Sequence, residues 1–282
     1  MKAFSAIAAL FCLALETPYL MACEHGHFFL PQNDHRIPVS KNAGGIDEAT
    51  FNGVIERFQT LFQPIFKARG RTLKINANWK SPMVNARAHR RSRTRYVTMY
   101  GGFARHEKMT ATGFAVVLCH ELGHHLGGAP ITGVWASTEG QSDYFATAKC
   151  MRRYFDEYGL LDDLNVSSES FIGKICLESF DELDKQVWCQ SNLEGSIVLS
   201  RVLAELQGRD EPRFETPDTT VVRNTNYRYP PAQCRLDTFV AGAICNIDYD
   251  ISFSTKDPIT GSCHPDSGST GGERPKCWYS YR

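Results

Sequence analysis

Cys119-His120-Glu121-Leu122-Gly123-His124 is the stretch that decides the fold. It carries a His-Glu-x-x-His pattern. On an α-helix, residues four apart lie about 40° apart in projection and roughly 6 Å apart along the axis, so both imidazoles leave one face. Two metal ligands follow, His120 and His124. Glu121 is rotated about 100° from His120, beside the ion, where its carboxylate can take a proton from a water that the metal activates. A catalytic zinc keeps three protein ligands and one open position, so a third ligand must come from elsewhere. Glu139 is the candidate, because Thr138 to Gln141 has the T-x-x-Q spacing of a capping box and opens a new helix at Glu139. Asp143 falls one turn further on the same face, where it can accept the free N–H of a ligating His; it is also the fallback ligand. Gly127-Gly128 and Pro130 end the first helix directly after the motif, which lets the chain turn back. His125, rotated about 100° from His124, reads as a packing group or one behind the ligands. The bland alternative is a buried helix in which the pattern is chance, expected in roughly one chain of this length in a hundred.

His120-Glu121-x-x-His124 followed by Glu139-x-x-x-Asp143 resembles the gluzincin metallopeptidases, whose third zinc ligand is the Glu of an E-x-x-x-D helix. Tyr229-Pro230-Pro231-Ala232-Gln233-Cys234-Arg235 is similar to the His-Pro-x-x-x-x-Arg segment of the HtpX and CAAX-prenyl-protease-like family, which includes periplasmic protease-chaperones. The resemblance implies an α+β, zincin-like metallopeptidase fold: a small antiparallel or mixed sheet, then metal-binding helices, then a helical, Cys-rich C-terminal part. It also implies Zn2+ as cofactor, a protein or peptide as substrate, and Tyr229 and Arg235 as catalytic groups beside Glu121. This chain departs from the family by having Tyr229 where a His is usual. A Tyr hydroxyl can donate to a tetrahedral oxyanion, and Tyr229-Pro230-Pro231 also reads as an ordinary turn. The resemblance covers residues 95–160 and, more loosely, 224–245.

Met1-Lys2 followed by the apolar run Ala3 to Leu15 has the charged start and short hydrophobic core of a secretory signal, too short to span a membrane. Leu20-Met21-Ala22-Cys23 resembles a bacterial lipobox, which makes Cys23 a candidate for lipidation and membrane attachment. Cleavage after Ala22 without lipidation is the alternative. The expected compartment is the bacterial periplasm or the outer membrane as a lipoprotein, or else secretion. Of the ten Cys, Cys12 leaves with the signal and Cys23 carries the lipid, which leaves Cys119, Cys150, Cys176, Cys189, Cys234, Cys245, Cys263 and Cys277. These can pair completely as disulfides in an oxidising compartment. Sequential pairing is the simplest arrangement, and Cys119–Cys150 is the first pair expected, because it would tie the two metal-bearing helices together. A zinc thiolate or a buried free thiol at Cys119 fits a three-ligand site poorly.

Formal net charge is zero and the sequence pI is about 7.1, which argues against a dedicated nucleic-acid binder. Hydrophobic content of 42% is ample for a core. The expected organisation is a signal peptide at 1–22, an exported leader at 23–45, a catalytic domain at 46–207, and a Cys-rich section at 208–282 packed on it through a linker at 208–220. Within the catalytic domain, 46–68 is an amphipathic helix with Asp47 as N-cap and an Ile46–Phe51 staple. Strands are expected at 73–79, 84–88 and 96–100, and helices at 139–158, 169–187 and 193–206. Tyr96 to Tyr100 reads either as an edge that pairs with an extended substrate or as an internal strand. The basic cluster Arg87 to Arg95 reads as a solvated hairpin loop or as an attraction site for anionic lipid or acidic substrate. Function is expected to be that of an exported zinc metallopeptidase. The alternatives are a zinc-dependent envelope chaperone or another metal-dependent hydrolase. The presence of Glu121 favours an enzyme, since a structural zinc needs no base there.

Overall fold

The sheet begins with a hairpin rich in β-branched, aromatic and long basic residues. β1 (His27–Phe28), β2 (Thr72–Asn78), β3 (Ala86–Arg91) and β4 (Thr94–Tyr100) form a mixed sheet in the order β1-β3-β4-β2. β3 and β4 are antiparallel around a two-residue turn, where Ser92 takes the left-handed conformation (φ 53°) that such tight turns demand. β2 runs parallel to β4. The computed structural model describes residues 27–31, 33–40, 44–164, 166–269 and 271–282. The expected signal segment and Cys23 lie outside the described residues.

Two expectations are corrected here. β4 lies between β3 and β2, so Tyr96 to Tyr100 is an internal strand with both sides paired and cannot accept an extended substrate. The basic cluster is not a loop but strand carried almost to the hairpin tip, with Arg90 opposite Arg95. Arg87 lies over the Phe28 ring at 5.1 Å and Arg90 over Trp135 at 5.6 Å.

α1 (Glu48–Ala68) starts at Asp47, whose carboxylate accepts the Thr50 N–H at 2.7 Å. Its Phe51, Val54, Ile55, Phe58, Phe62 and Phe66 are buried, as the helical spacing of these residues requires. A short α2 (Gly101–Ala104) leads from β4 to α3 (Ala111–Leu126), which Thr110 caps and which is buried on nearly every side. The chain then turns through Gly128 (φ 72°) and a cis Ala129–Pro130 bond into a small hairpin, β5 (Ile131–Thr132) and β6 (Ala136–Ser137). α4 (Glu139–Phe145) opens with Thr138 accepting the Gln141 N–H, and continues through a π turn (Ala146–Cys150) into α5 (Met151–Tyr158). α3 and α4 cross closely: a Cβ on Gly123 would sit 2.9 Å from the Ser142 Cα. Only glycine permits that approach, and the approach brings Glu139 and Asp143 to the histidines.

The later helices divide differently from expectation. α6 (Phe171–Ser179) stops at extended Phe180, and α7 (Leu183–Leu206) runs unbroken past the expected boundary near residue 193. Polar residues buried in α7, including Ser191, Asn192 and Ser196, interrupt the apolar rhythm where the sequence reading cut it. α8 (Ala232–Ile244), for which no bounds were expected within the helical, Cys-rich C-terminal part, packs on α7, α4 and the π turn. No helix among the described residues is long and apolar enough to cross a membrane.

Four disulfides staple this assembly: Cys119–Cys150, Cys176–Cys189, Cys234–Cys277 and Cys245–Cys263. Sequential pairing holds for the first two and fails for the last two, which are nested. The reason is α8: Cys234 and Cys245 stand near its opposite ends, so each takes a different partner from the returning C-terminal chain.

Two stability outcomes follow from this packing. Cys119–Cys150 closes a 31-residue separation, so replacing both with Ala should cost about 3–4 kcal/mol, read from denaturant unfolding. Lys149 is 4% exposed, and burial, with Arg152 adding, pushes its ammonium down to about 7. Between that value and about 10.4 the unfolded chain holds a proton that the folded chain has released, so this group's contribution to stability rises with pH across that window. Lys149→Met is therefore expected to stabilise the fold at pH 6 by roughly 1–3 kcal/mol and to lose most of that advantage by pH 10.

Candidate metal centre

Helical spacing points His120 and His124 off one face of α3, and the neighbours of each ring fix its tautomer. The Nδ1–H of His120 donates to Asp143 Oδ1 at 2.7 Å. The Nδ1–H of His124 donates to the Ser137 carbonyl at 2.9 Å, with Ser142 Oγ at 3.1 Å. Each Nε2 is thereby left with its lone pair facing inward. There they meet the Glu139 carboxylate, Oε2 at 3.3 Å from His120 and Oε1 at 3.7 Å from His124. Both Nε2 atoms, both oxygens of Glu121 and Oε2 of Glu139 are buried without a hydrogen-bond partner. Unsatisfied polar atoms in an interior cost free energy, and a set made almost wholly of electron-pair donors is one that a cation satisfies. The arrangement can hold a metal ion.

His27 joins the cluster from β1. Its ligand atom, one from His124 and one from Glu139 all lie within 4.8 Å of one another, and its ring sits 4.8 Å from that of His124. Asp218, Cys234 and Cys277 also lie close together, but the two sulfurs are bonded to each other and offer no thiolate.

Behind the histidines sits a buried ion pair. Asp143 Oδ2 accepts from Arg235 Nε at 2.7 Å, and Oδ1 accepts from Arg235 Nη2 at 2.7 Å. Arg235 Nη1 also donates to the Phe29 carbonyl at 3.1 Å, and the guanidinium lies over the Phe29 ring. Burial alone would raise the Asp143 carboxyl, but Arg235 and His120 outweigh it and hold it below its ordinary value. Burial also works against charge on His120, yet Asp143 and Glu139 carry that imidazole up to about 9, so a cation binding here would take the place of a proton on Nε2. For His124, burial and the neighbouring His120 drive the value well down. Burial lifts Glu121 to about 8, with the Glu139 charge adding to it and His120 opposing.

The expected residues thus fall into distinct positions. His120, Glu121, His124 and Glu139 converge, and Asp143 lies directly behind His120. Arg235 is corrected: it is 1% exposed and touches Asp143 on the far side of the ligands, so it positions the site rather than facing a reacting atom. Tyr229 forms no isolated turn; its hydroxyl donates to the Phe28 carbonyl at 2.7 Å. Burial and the nearby carboxylates raise its pKa, so the phenol stays a neutral donor. His125 is a packing residue, with Nε2–H donating to the Tyr96 carbonyl at 3.1 Å and the ring stacked on Trp135. Sequence reasoning missed His27. The His25-Gly26-His27 pair just after Cys23 was the available signal, but no local spacing links it to residues a hundred positions away.

No family model, curated protein or solved structure matches the chain.

Removing Arg235 should expose how much the centre leans on it. Arg235→Met leaves Asp143 buried without its cation, which is expected to cost about 3–5 kcal/mol of stability. In the fraction that folds, metal affinity should fall by roughly 10–100-fold, measured by competition with a chromophoric chelator.

Proposed function

We propose that the protein is a zinc metallopeptidase with a zincin-like fold, hydrolysing peptide bonds in exported or envelope proteins. The observation that carries this reading is the spacing of the orphaned donor atoms. Ligands bound at 2.0–2.1 Å around a tetrahedral zinc lie about 3.3–3.4 Å apart. Glu139 reaches His120 through its orphaned Oε2 at 3.3 Å and His124 through its other oxygen, Oε1, at 3.7 Å, and each imidazole has its Nδ1 engaged away from the carboxylate. His120, His124 and Glu139 would hold the ion. When bound, zinc supplies an activated water and a Lewis acid for the scissile carbonyl.

The chain's own groups account for the rest. Glu121 is buried and unpaired, and its carboxylate, favoured once a cation sits beside it, can take a proton from the attacking water and return it to the leaving amine. Asp143, held by Arg235, keeps the Nδ1 proton of His120 and so the ligating lone pair on Nε2. The Tyr229 hydroxyl already donates to a peptide carbonyl, the kind of contact that stabilises an oxygen as negative charge builds on it. The disulfides support an oxidising compartment, in keeping with the signal-like start of the sequence and with membrane attachment through Cys23. One observation favours a second reading, a zinc-dependent chaperone or binding protein without proteolysis: the His27 imidazole lies close enough to His124 and Glu139 to share an ion with them, and an added protein ligand would leave less room for a water.

Glu121→Gln should retain one zinc per chain and lose cleavage of casein by on the order of 10²-fold or more, because the amide keeps the shape but not the basicity. His120→Ala and Glu139→Ala should lose the zinc itself, measured by elemental analysis after dialysis. Equal cleavage by wild type and Glu121→Gln would remove the mechanism.

A further inference from the structure

We infer that the segment His27–Leu30 is a built-in occupant of the active site, with His27 as a fourth metal ligand and β1 lying along β3 where an extended peptide would pair. The inference rests on the peptidase reading above and concerns how that site is controlled. Three independent contacts carry it. The first is His27 itself, whose ring nitrogen lies within 4.8 Å of ligand atoms of both His124 and Glu139, while Glu139 in turn reaches His120 at 3.3 Å. Four protein ligands fill a tetrahedral zinc and leave no position for water, the condition of a structural rather than a catalytic ion.

The second contact is the backbone. β1 pairs antiparallel with β3, His27 opposite Ala88 and Phe28 opposite Arg87. Without β1, that side of β3 would be a free sheet edge beside the metal, the geometry to which an extended peptide adds as a strand. The third is Tyr229, the phenol proposed to support the substrate carbonyl, which is spent on the Phe28 carbonyl. Side chain, strand edge and carbonyl donor are therefore all engaged by the same short stretch of this chain.

The stretch has a fixed root and a loose tip. Phe29 is fully buried against the His120 ring, with its carbonyl on Arg235. Leu30 is 2% exposed and exchanges hydrogen bonds with the Asn85 side chain through both its N–H and its carbonyl. His27 and Phe28 are only half-buried. The two ladder residues and one imidazole can leave while Phe29 and Leu30 stay seated, which makes the tip a latch that opens by ligand exchange. A substrate strand or a pull on the chain ahead of His27 would release it.

The test uses the full mature chain loaded with Co2+, comparing wild type with His27→Ala and His27→Gln by visible absorption and azide titration. Wild type should show a four-ligand spectrum that azide leaves unchanged. Both variants should show a shifted spectrum that azide moves further, and free imidazole should restore the wild-type bands. With zinc bound, kcat/KM on casein should rise tenfold or more in the variants if the open form is about a tenth of the wild-type population or less. That gain should vanish when Glu121→Gln is added, and imidazole should reverse it. Identical cobalt spectra, equally sensitive to azide, would show that His27 is no ligand and overturn the inference. A changed spectrum with no gain over a wild type that does cleave would overturn the latch. A changed spectrum with no cleavage by any form would bring down the peptidase reading, and the latch with it, while leaving His27 as a ligand.

Discussion

One carboxylate holds three parts of the chain in register. Asp143 receives the imidazole N–H of His120 from α3 and the two-pronged guanidinium of Arg235 from α8, while itself standing on α4. All three groups are nearly or wholly inaccessible to water. Charges removed from water this completely are tolerable only when each has its partners, so the three helices cannot drift apart without exposing an expensive remainder. The ion pair is therefore less a source of stability than a source of specificity. It dictates which tautomer His120 adopts and at what angle its ring is presented.

The same logic extends outward from the centre. The Phe29 carbonyl takes another of the Arg235 donors, so the N-terminal segment is tied to the hub that orients the ligands. The π turn after α4 carries Thr147, whose hydroxyl donates to the Phe239 carbonyl of α8. Such turns insert an extra residue into a helix and often mark working sites; here the turn lies at the contact between α4 and α8. The Cys119–Cys150 bridge fixes the residue next to His120 to the last residue of that turn.

Where the sequence was legible, the reason was local. Helical spacing from His120 to His124, the Thr138 cap and the Gly127-Gly128 stop all act within a few residues, and those elements form close to where they are expected. The boundary between α6 and α7 was misread because polar residues fill buried positions in α7, which hides a helix from a reading based on apolar periodicity. The C-terminal part was expected to be helical, but α8 was not placed within it although Pro230-Pro231 stands at its start, a common opening for a helix. The internal position of β4 and the nested disulfides depend on how distant segments meet, which no local pattern encodes. His27 belongs to the same class. A single histidine near the start of a chain acquires meaning only when a sheet brings it beside residues far along the sequence.

The reach of Arg235 sets an order of assembly. A chain made from its N-terminus presents the segment His27–Leu30 first, the paired histidines and Glu139 next, and the arginine that steadies them about ninety residues after Asp143. Until α8 has emerged and docked, Asp143 lacks its cation and His120 lacks a fixed orientation. The segment carrying α8 is in turn fastened by two crosslinks that form only under oxidising conditions. Completion of the centre is thus tied to the arrival and crosslinking of α8, and a partly made or reduced chain holds its histidines without the framework that aims them.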